Sequence, residues 1–311
     1  MKKTLSRMVA LLLTAAMLLS GCSSATEGGE ETETSGENSS TQSESSEASS
    51  NEITDLVIPK VSTKEIAGFN ILYTQKGEDF EGLTSIWDGL LEVDPEGKLV
   101  PAIAEEWGTE DEGLTWTFKI RDGVKWVNVN GEEMADCNAQ DFATGLEWVL
   151  NFHKNDSLNT SMPLEMIEGA EEYYEYTKSL SKEEAYALTA EEGSKFREMV
   201  GLETPDDYTL IYRCLDKKPY FDTLAPYASL YPASQQLIDQ LGVDGFKAIN
   251  NENMWYNGCY TMTSFIQNNE KVYTKNPLYW DQDCKLFNTV TVKMVESNEV
   301  AFQLYQSGEV D

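Results

Sequence analysis

The chain has 311 residues, with 54 Asp or Glu against 23 Lys or Arg, and a formal net charge of −31 at pH 7. Nucleic-acid binding requires clustered cations that neutralise phosphates, so this charge argues against nucleic acid as a partner. The length allows one large or two ordinary domains besides any processed segment.

The first 21 residues have the pattern of a secretory signal peptide, because basic residues precede a short apolar stretch from Met8 to Leu19. A membrane-spanning helix needs about 20 apolar residues, so this stretch is too short to anchor the chain. Leu19-Ser20-Gly21-Cys22 resembles a bacterial lipobox, which implies cleavage before Cys22 and a lipid attached to it. The alternative is an ordinary signal peptide with an unmodified cysteine.

Residues 22–52 are predicted to be a lipidated, disordered, acidic linker. After Cys22 they are almost only Ser, Thr, Glu, Gly, Asn, Gln and Ala, with no aromatic or basic residue. Such a segment cannot bury enough apolar surface to offset the entropy lost on ordering. We expect it to extend and to hold a folded domain away from a surface, and a recognition tail is the alternative.

Strands are predicted wherever apolar and polar residues alternate. Alternation over 114–120, the turn residues Asp122-Gly123 and the apolar residues of 124–126 predict a β-hairpin. Alternation over 208–214, after the turn Pro205-Asp206-Asp207, predicts another strand, and so does alternation over 290–294.

A helix is predicted over 139–152, with Asn138 as its N-cap and Asp141 three residues later. Its apolar face is Phe142, Leu146 and Val149. The segment 136–141, with Glu147 further on, is superficially similar to a calcium loop, but it lacks glycine at the sixth position. We therefore predict a capped helix at this place and no metal site.

Three further helices are predicted. One covers 164–178, one is opened by a Ser181 and Glu184 capping box, and one begins after Pro232 and ends at a left-handed cap on Gly242. Strands and helices therefore interleave without a strict βαβ rhythm. This order favours a mixed α/β fold.

The sequence contains no motif for catalysis or for a cofactor. GxSxG, P-loop and HExxH patterns are absent, and the only histidine, His153, is interpreted as a helix-end residue. Acidic doublets could supply a glycosidase pair, but their polar, helix-like surroundings indicate solvated faces. These doublets are Glu105-Glu106, Glu132-Glu133 and Glu171-Glu172.

Four cysteines remain besides Cys22: Cys137, Cys214, Cys259 and Cys284. Their wide spacing matches neither a disulfide scaffold nor a CxxC zinc site. Isolated thiols are the preferred interpretation. Three pairings stay open for an exported protein.

Several motifs, in order along the chain, are similar to those of one known family. The segment 87–107, WDGLLEVDPEGKLVPAIAEEW, is similar to an EGL…DPDGKLVPALAESW signature. Segment 114–126 is similar to LTWTFKLRDGVKW. Shorter similarities occur at Ala139–Phe142 (TAEDF), Asp206–Leu210 (DDYTL), Tyr256–Tyr260 (YNGPY), Asn276–Trp280 (NPxYW) and Gly308–Asp311 (GEID). Together these motifs resemble those of the extracellular peptide-binding lipoproteins that serve ABC importers.

This resemblance implies an α/β fold of the periplasmic-binding-protein type II class, in its large peptide-binding subclass. A mixed-sheet first lobe would comprise 53–88 and 215–295, with an inserted α+β subdomain over 89–214. Residues 296–311 would begin a second lobe that is largely missing, so the chain looks truncated.

The function implied is that of a lipid-anchored substrate-binding subunit, not an enzyme, and without a cofactor. It would capture oligopeptides by backbone hydrogen bonds in a cleft between lobes and deliver them to a membrane permease and its ATPase. The implied protein is a monomer on the outer face of the bacterial cell membrane, attached only by lipid. Alternatives are a binder of another solute, such as an oligosaccharide or a nickel complex, or a secreted carboxylate-dependent hydrolase.

The form YNGxY favours oligopeptide binders over the nickel and dipeptide branches, which more often show GTGPY. Two departures from the family pattern leave the substrate subclass open. Phe69-Asn70-Ile71 replaces the usual Leu-Asp/Asn-Pro, and Cys259 replaces a proline.

By alignment to the family, seven residues of this half should face the cleft. For some of them other interpretations stay open, because Tyr256 could be a core residue, Asn257-Gly258 could be only a turn, and Met162 could serve packing. The seven predicted ligand-binding residues are Gln75, Lys76, Gly77, Met162, Tyr256, Asn257 and Gly258.

Overall fold

The structure is a computed structural model that describes residues 54–156 and 159–311. These residues belong to one compact unit, Asn51–Asp311. The predicted signal peptide 1–21, the lipidation site Cys22 and the linker 22–52 lie outside the described residues. Within the described part, no helix is both long enough and apolar enough to cross a membrane.

The described ranges contain twelve strands, which form two four-stranded sheets and two two-stranded ribbons. The strands are β1 (Asp55–Val61), β2 (Leu91–Val93), β3 (Leu99–Pro101), β4 (Ala104–Gly108), β5 (Thr115–Ile120), β6 (Lys125–Val127), β7 (Glu133–Asp136), β8 (Leu202–Asp206), β9 (Thr209–Arg213), β10 (Tyr260–Ile266), β11 (Glu270–Lys275) and β12 (Thr289–Val295).

Eight α-helices accompany these strands in the described ranges, together with the 3-10 helices Phe221–Leu224 and Ala228–Leu230. The α-helices are α1 (Gly77–Leu83), α2 (Ala139–Leu150), α3 (Ser161–Met166), α4 (Ala170–Ser179), α5 (Lys182–Tyr186), α6 (Lys195–Met199), α7 (Gln235–Lys247) and α8 (Asn298–Ser307).

The first sheet has the strand order β1-β12-β11-β10. Strand β1 runs parallel to β12, with Asp55 opposite Thr289, whereas the other pairs are antiparallel. The sheet is therefore mixed, and the strand predicted over 290–294 is confirmed as β12. The outer side of β1 is partly paired, because Val57 exchanges two hydrogen bonds of 2.8 Å with Asp311.

The second sheet, β4-β5-β9-β8, is antiparallel throughout and confirms the strands predicted over 114–120 and 208–214. The alternating side chains Trp116, Phe118 and Ile120 are buried on one face. Phe118 meets Tyr212 of β9 edge to face at 5.9 Å between ring centroids, an arrangement that aromatic quadrupoles favour.

The predicted hairpin at Asp122-Gly123 is wrong in its pairing. Gly123 adopts φ +79°, as the turn requires, but β6 then pairs with β7 and not with β5. The edges of β5 are already occupied by β4 and β9. Strand β6 instead reaches the chain near residue 256, where Val127 and Tyr256 exchange two backbone hydrogen bonds of 2.8 Å.

Helix α2 begins as predicted, because Asn138 and Asp141 form a reciprocal capping box. Phe142, Leu146 and Val149 are fully buried, but so is nearly every other residue of the helix. Just after the helix, His153 places its Nε2 atom 3.1 Å from the Leu180 carbonyl oxygen, at the helix end that was predicted.

The helix predicted over 164–178 is broken into α3 and α4. Gly169 adopts φ +71°, and Ile167 forms an isolated β-bridge with Cys214, so the backbone leaves the helix there. The Ser181 capping box and its helix, α5, are confirmed. Gly242 has a positive φ of 69° as predicted, but its ψ of 168° is not left-handed helical, and helical turns resume as far as Lys247.

Sequence-distant segments share one hydrophobic core. The first sheet is built from residues of the predicted first lobe, and the second sheet lies within the predicted inserted subdomain. Both contribute to the same buried cluster, which contains Trp87, Phe118 and Met262. The lobe boundaries at 88 and 214 stay predictions.

Candidate functional site

The first predicted ligand-binding segment, Gln75-Lys76-Gly77, is exposed and leads into α1. Its local turn is set by Thr74, whose hydroxyl oxygen accepts from the Lys76 amide at 3.1 Å and whose hydroxyl donates to Asp79 at 2.5 Å. The segment thus rests on buried hydrogen bonds while its own side chains remain available.

A surface cavity of about 440 Å³ lies beside this segment. Lys247 lines one side, with its ammonium nitrogen 5.4 Å from the ring centroid of Tyr73 and 3.6 Å from Asp156 Oδ1. Tyr73 donates its phenol to Asp156 at 2.5 Å, and this hydrogen bond raises the pKa of Tyr73 to about 12. These contacts fix the wall of a polar cavity that Gln75 and Lys76 also line.

Met162 lies in the short helix α3 and is half-buried against the core. The polypeptide before α3 reaches the same region as Gln75, because Asn155 and Asn159 both donate to the Leu72 carbonyl oxygen at 3.4 Å. The structure thus brings the segment before Met162 next to the segment before Gln75.

Tyr256, Asn257 and Gly258 are buried, unlike the first segment. Asn257 accepts from the Asp88 amide at 2.9 Å and donates to the Asp88 carbonyl oxygen at 3.3 Å. The Tyr256 hydroxyl donates to the Asn251 carbonyl oxygen. Both side chains therefore have partners inside the fold, and Tyr256 is a core residue in this chain.

Gly258 packs backbone against backbone. A Cβ atom there would lie 2.6 Å from the Ile86 carbonyl carbon and 2.7 Å from the Trp87 nitrogen. Asn276 donates to the Gly258 carbonyl oxygen at 2.9 Å, so the segment is held from both sides. Glycine is needed here because another backbone segment packs closely against it, and that segment is Ile86-Trp87 of the same chain and not a ligand.

Sequence reasoning missed Asp88, which lies directly behind this segment and is 3% exposed. Trp280 donates its indole N–H to Asp88 Oδ2 at 3.0 Å, and the Arg121 guanidinium stacks 4.2 Å from the Trp280 ring centroid. The signal that could have found them is positional. Asp88, Arg121 and Trp280 stand in three of the motifs that carry the family resemblance.

Burial raises the pKa of Asp88 to about 7, and the nearby Glu92 carboxylate adds to this shift. Glu92 is accessible to solvent, yet loss of part of its hydration shell raises its pKa as well. Burial also raises the pKa of the Cys259 thiol and of the Tyr279 phenol. Hydrogen bonds from Trp280 and Tyr279 act in the opposite direction on Asp88, but burial outweighs them.

The described residues hold no group of three or more His, Cys, Asp or Glu suited to a metal ion. Cys137, Cys214, Cys259 and Cys284 are all free thiols. The acidic doublets are exposed as predicted, but their helix-like surroundings are confirmed only for Glu171-Glu172 in α4. Glu105-Glu106 lies on strand β4, and Glu132-Glu133 lies at the start of strand β7.

A family profile described as bacterial extracellular solute-binding proteins, family 5 (middle part), matches residues 98–311. The oligopeptide-binding protein AliA of Streptococcus pneumoniae is 31% identical over 215 residues, which cover 69% of this chain and 30% of AliA. The periplasmic oligopeptide-binding protein OppA of Haemophilus influenzae is 28% identical over 224 residues, covering 72% of this chain and 37% of OppA.

Solved structures give the same picture. Haemophilus influenzae OppA in complex with the peptide RPPGFSPFR has a TM-score of 0.66 and 26% identity, covering 84% of this chain and 46% of OppA. The substrate-binding domain of an oligopeptide ABC transporter from Bacillus anthracis has a TM-score of 0.67 and 24% identity, covering 82% and 44% of the two chains. The predicted α/β fold of the periplasmic binding-protein type is confirmed, and the chain spans less than half the length of these relatives.

Proposed function

The chain belongs to the bacterial extracellular solute-binding proteins of family 5, and from this membership we propose that it captures oligopeptides for an ABC importer. The family match over 98–311 is the observation that carries the proposal. Relatives named as oligopeptide-binding proteins, one of them solved with a peptide, support peptides as the ligand class. A solute-binding family also agrees with a binding role and not an enzymatic one.

A binder of many peptide sequences must recognise the main chain that all peptides share, while side chains enter roomy, hydrated pockets. Gln75 supports this role, since its amide can both donate to and accept from a peptide backbone. Gly77 leaves space for close approach, because nothing lies within 4 Å of the position of a Cβ atom there. Lys76 adds an exposed cation beside the cavity.

Tyr256, Asn257 and Gly258 have a supporting role in the chain as it stands. They are buried, and their internal hydrogen bonds hold the backbone of the 256–258 segment in place. Direct contact of these three residues or of Met162 with a ligand remains a prediction of the family alignment.

We further propose that the ligand is enclosed when two lobes close about a hinge, and that binding shifts the population towards the closed form. A membrane permease and its ATPase would be the partners that receive the ligand. The protein would be a monomer on the outer face of the cell membrane, attached through a lipid on Cys22.

Native mass spectrometry of the full-length protein with an equimolar mixture of short peptides, oligosaccharides and Ni²⁺ tests the ligand class. We expect retention of mixed peptides, weakened in a Gln75→Ala and Lys76→Ala double variant and unchanged in the exposed control Lys98→Ala. Retention of only oligosaccharide or only nickel would overturn peptides as the ligand, and cleavage of a glycan would overturn the binding role itself.

A further inference from the structure

Asp88 connects two segments that are far apart in sequence. The Asp88 backbone N–H donates to the side-chain oxygen of Asn257 at 2.9 Å, and the side-chain nitrogen of Asn257 donates to the Asp88 carbonyl oxygen at 3.3 Å. The Asp88 carboxyl group accepts a hydrogen bond from the Trp280 indole N–H at 3.0 Å. One residue thus fixes both the 256–258 segment and the loop between β11 and β12.

Arg121 extends this connection into the predicted inserted subdomain. Its guanidinium covers the Trp280 ring at 4.2 Å and donates through Nε to the Ala102 carbonyl oxygen at 2.7 Å. The loop that carries Trp280 is therefore held between Asp88 on one side and Arg121 on the other.

The surroundings of the Asp88 carboxyl group contain no compensating cation. Asp88 has no ion-pair partner among the residues that the structure describes, and burial and Glu92 both disfavour its ionised form. Hydrogen bonds from Trp280 and Tyr279 favour the ionised form, but burial is the larger effect and raises the pKa of Asp88. The other titratable groups that interact with Asp88 are neutral or acidic. They are Cys137, Tyr231, Cys259 and Tyr279.

We propose that Asp88 is a positioning residue for Asn257 and acts as a proton-controlled contact between the loop that carries Trp280 and the 256–258 segment. The neutral carboxyl group keeps one oxygen for the indole N–H and costs little to bury. The ionised group regains its hydration only when the Trp280 loop moves away. Deprotonation therefore favours a loosened pose of both segments.

The pH window follows from linkage. The opened form should titrate near the ordinary aspartate value of 3.8, and the closed form near 7. Opening should then increase about tenfold for each pH unit between these two values and level off above the higher one.

Hydrogen exchange of the Trp280 indole N–H, measured by NMR without ligand, tests this proposal. The Trp87 indole is a matched control, because it donates at 3.0 Å to the Pro232 carbonyl oxygen, which does not titrate. After correction for intrinsic exchange, protection of Trp280 should fall with pH through this window and protection of Trp87 should not. The Asn257 side-chain amide resonance should follow the same profile.

Asp88→Asn keeps an acceptor and should abolish the pH dependence at Trp280 and Asn257 while leaving Trp87 unchanged. Glu92→Gln leaves Asp88 in place but removes the charge that helps to raise its pKa. The pH at which loop opening levels off should therefore be lower in this variant, which provides a second measurement if Asp88→Asn does not fold. An unchanged slope in Asp88→Asn, or identical profiles for Trp280 and Trp87 in the original chain, would overturn the proposal.

The relevance of this contact to ligand capture rests on the proposed function. The exchange measurement itself contains no ligand. A chain that retained no peptide but showed the Asp88-dependent profile would contradict only the proposed function, and the reverse result would contradict only the positioning role.

Discussion

Glu147 and Lys154 form an ion pair of 2.7 Å in which both side chains are 2% exposed. The remaining hydrogen-bonding capacity is also used, since Glu147 accepts from Tyr173 at 2.8 Å and from Asn151 at 2.9 Å. Lys154 donates in addition to the Leu188 carbonyl oxygen at 2.5 Å. The pair links α2 with α4 and with the segment after α5.

Lys154→Met should lower the free energy of unfolding by about 3–5 kcal/mol, because it leaves the Glu147 carboxylate buried without its cation. Urea denaturation followed by circular dichroism measures the loss. The control is Lys178→Met, which breaks the exposed pair with Glu175 and should cost less than about 0.5 kcal/mol. Equal losses in the two variants would contradict a structural role for the buried pair.

Gly258→Ala should destabilise the chain by about 1–3 kcal/mol, because the added methyl group overlaps the backbone of Ile86 and Trp87. Gly108→Ala is the control, since a Cβ atom at that position meets nothing within 4 Å. Thermal unfolding of both variants measures the difference. A Gly258→Ala chain as stable as the control would show that the contact relaxes easily.

The residue scale also shows where sequence alone stops. The alignment placed Asn257 at a ligand, but its polar atoms are used by Asp88, a residue 169 positions away. Only the fold brings these two together. The same alignment named Gln75 and Lys76, and the structure places both on the surface before α1.

At the scale of elements, the long helix α2 depends on its N-terminal cap. Asn138 accepts from the Gln140 amide at 2.9 Å, and the Asp141 carboxylate accepts from the Asn138 amide at 3.0 Å. The first turn thereby satisfies donors that have no partner within the helix.

Asn138→Ala should therefore cost about 1 kcal/mol of stability, and Asn138→Ser should retain most of it, because serine is also a good N-cap. The free energy of unfolding in urea measures both changes. If serine were as damaging as alanine, the loss would come from packing around residue 138 and not from the cap.

Local signals predicted individual elements well. The capping boxes at Asn138 and Ser181 and the alternation in β5 and β9 were all readable, since neighbouring residues determine them. Pairing was not readable at Asp122-Gly123, because the partner of β6 depends on strands already occupying the edges of β5. The break at Gly169 likewise depends on a contact, the bridge between Ile167 and Cys214.

At the scale of the whole molecule, the free energy of unfolding should depend on pH through two buried aspartates. Asp88 and Asp141 are both buried, and burial raises the pKa of each to about 7 from an ordinary value of 3.8. The folded state thus binds more protons than the unfolded state between these values. Stability should fall as pH rises through this window and then level off.

Urea unfolding at intervals from pH 4 to pH 8 tests this expectation. Each group should contribute a loss of up to about 1.4 kcal/mol per pH unit, and repulsion among the many carboxylates should add to it. A double Asp88→Asn and Asp141→Asn variant should show a flatter profile. A stability that increased towards pH 8 would contradict the assignment of both carboxyl groups as neutral in the acidic range.

The pairing of β1 with β12 has a consequence for biosynthesis. Asp55 and Thr289 meet although 234 positions separate them, whereas both strands of every pair in the second sheet lie between residues 104 and 213. The second sheet can thus assemble while later residues are still on the ribosome. Strand β1 is translated well before its partner β12, so a nascent chain arrested before residue 289 would display β1 as an unpaired strand.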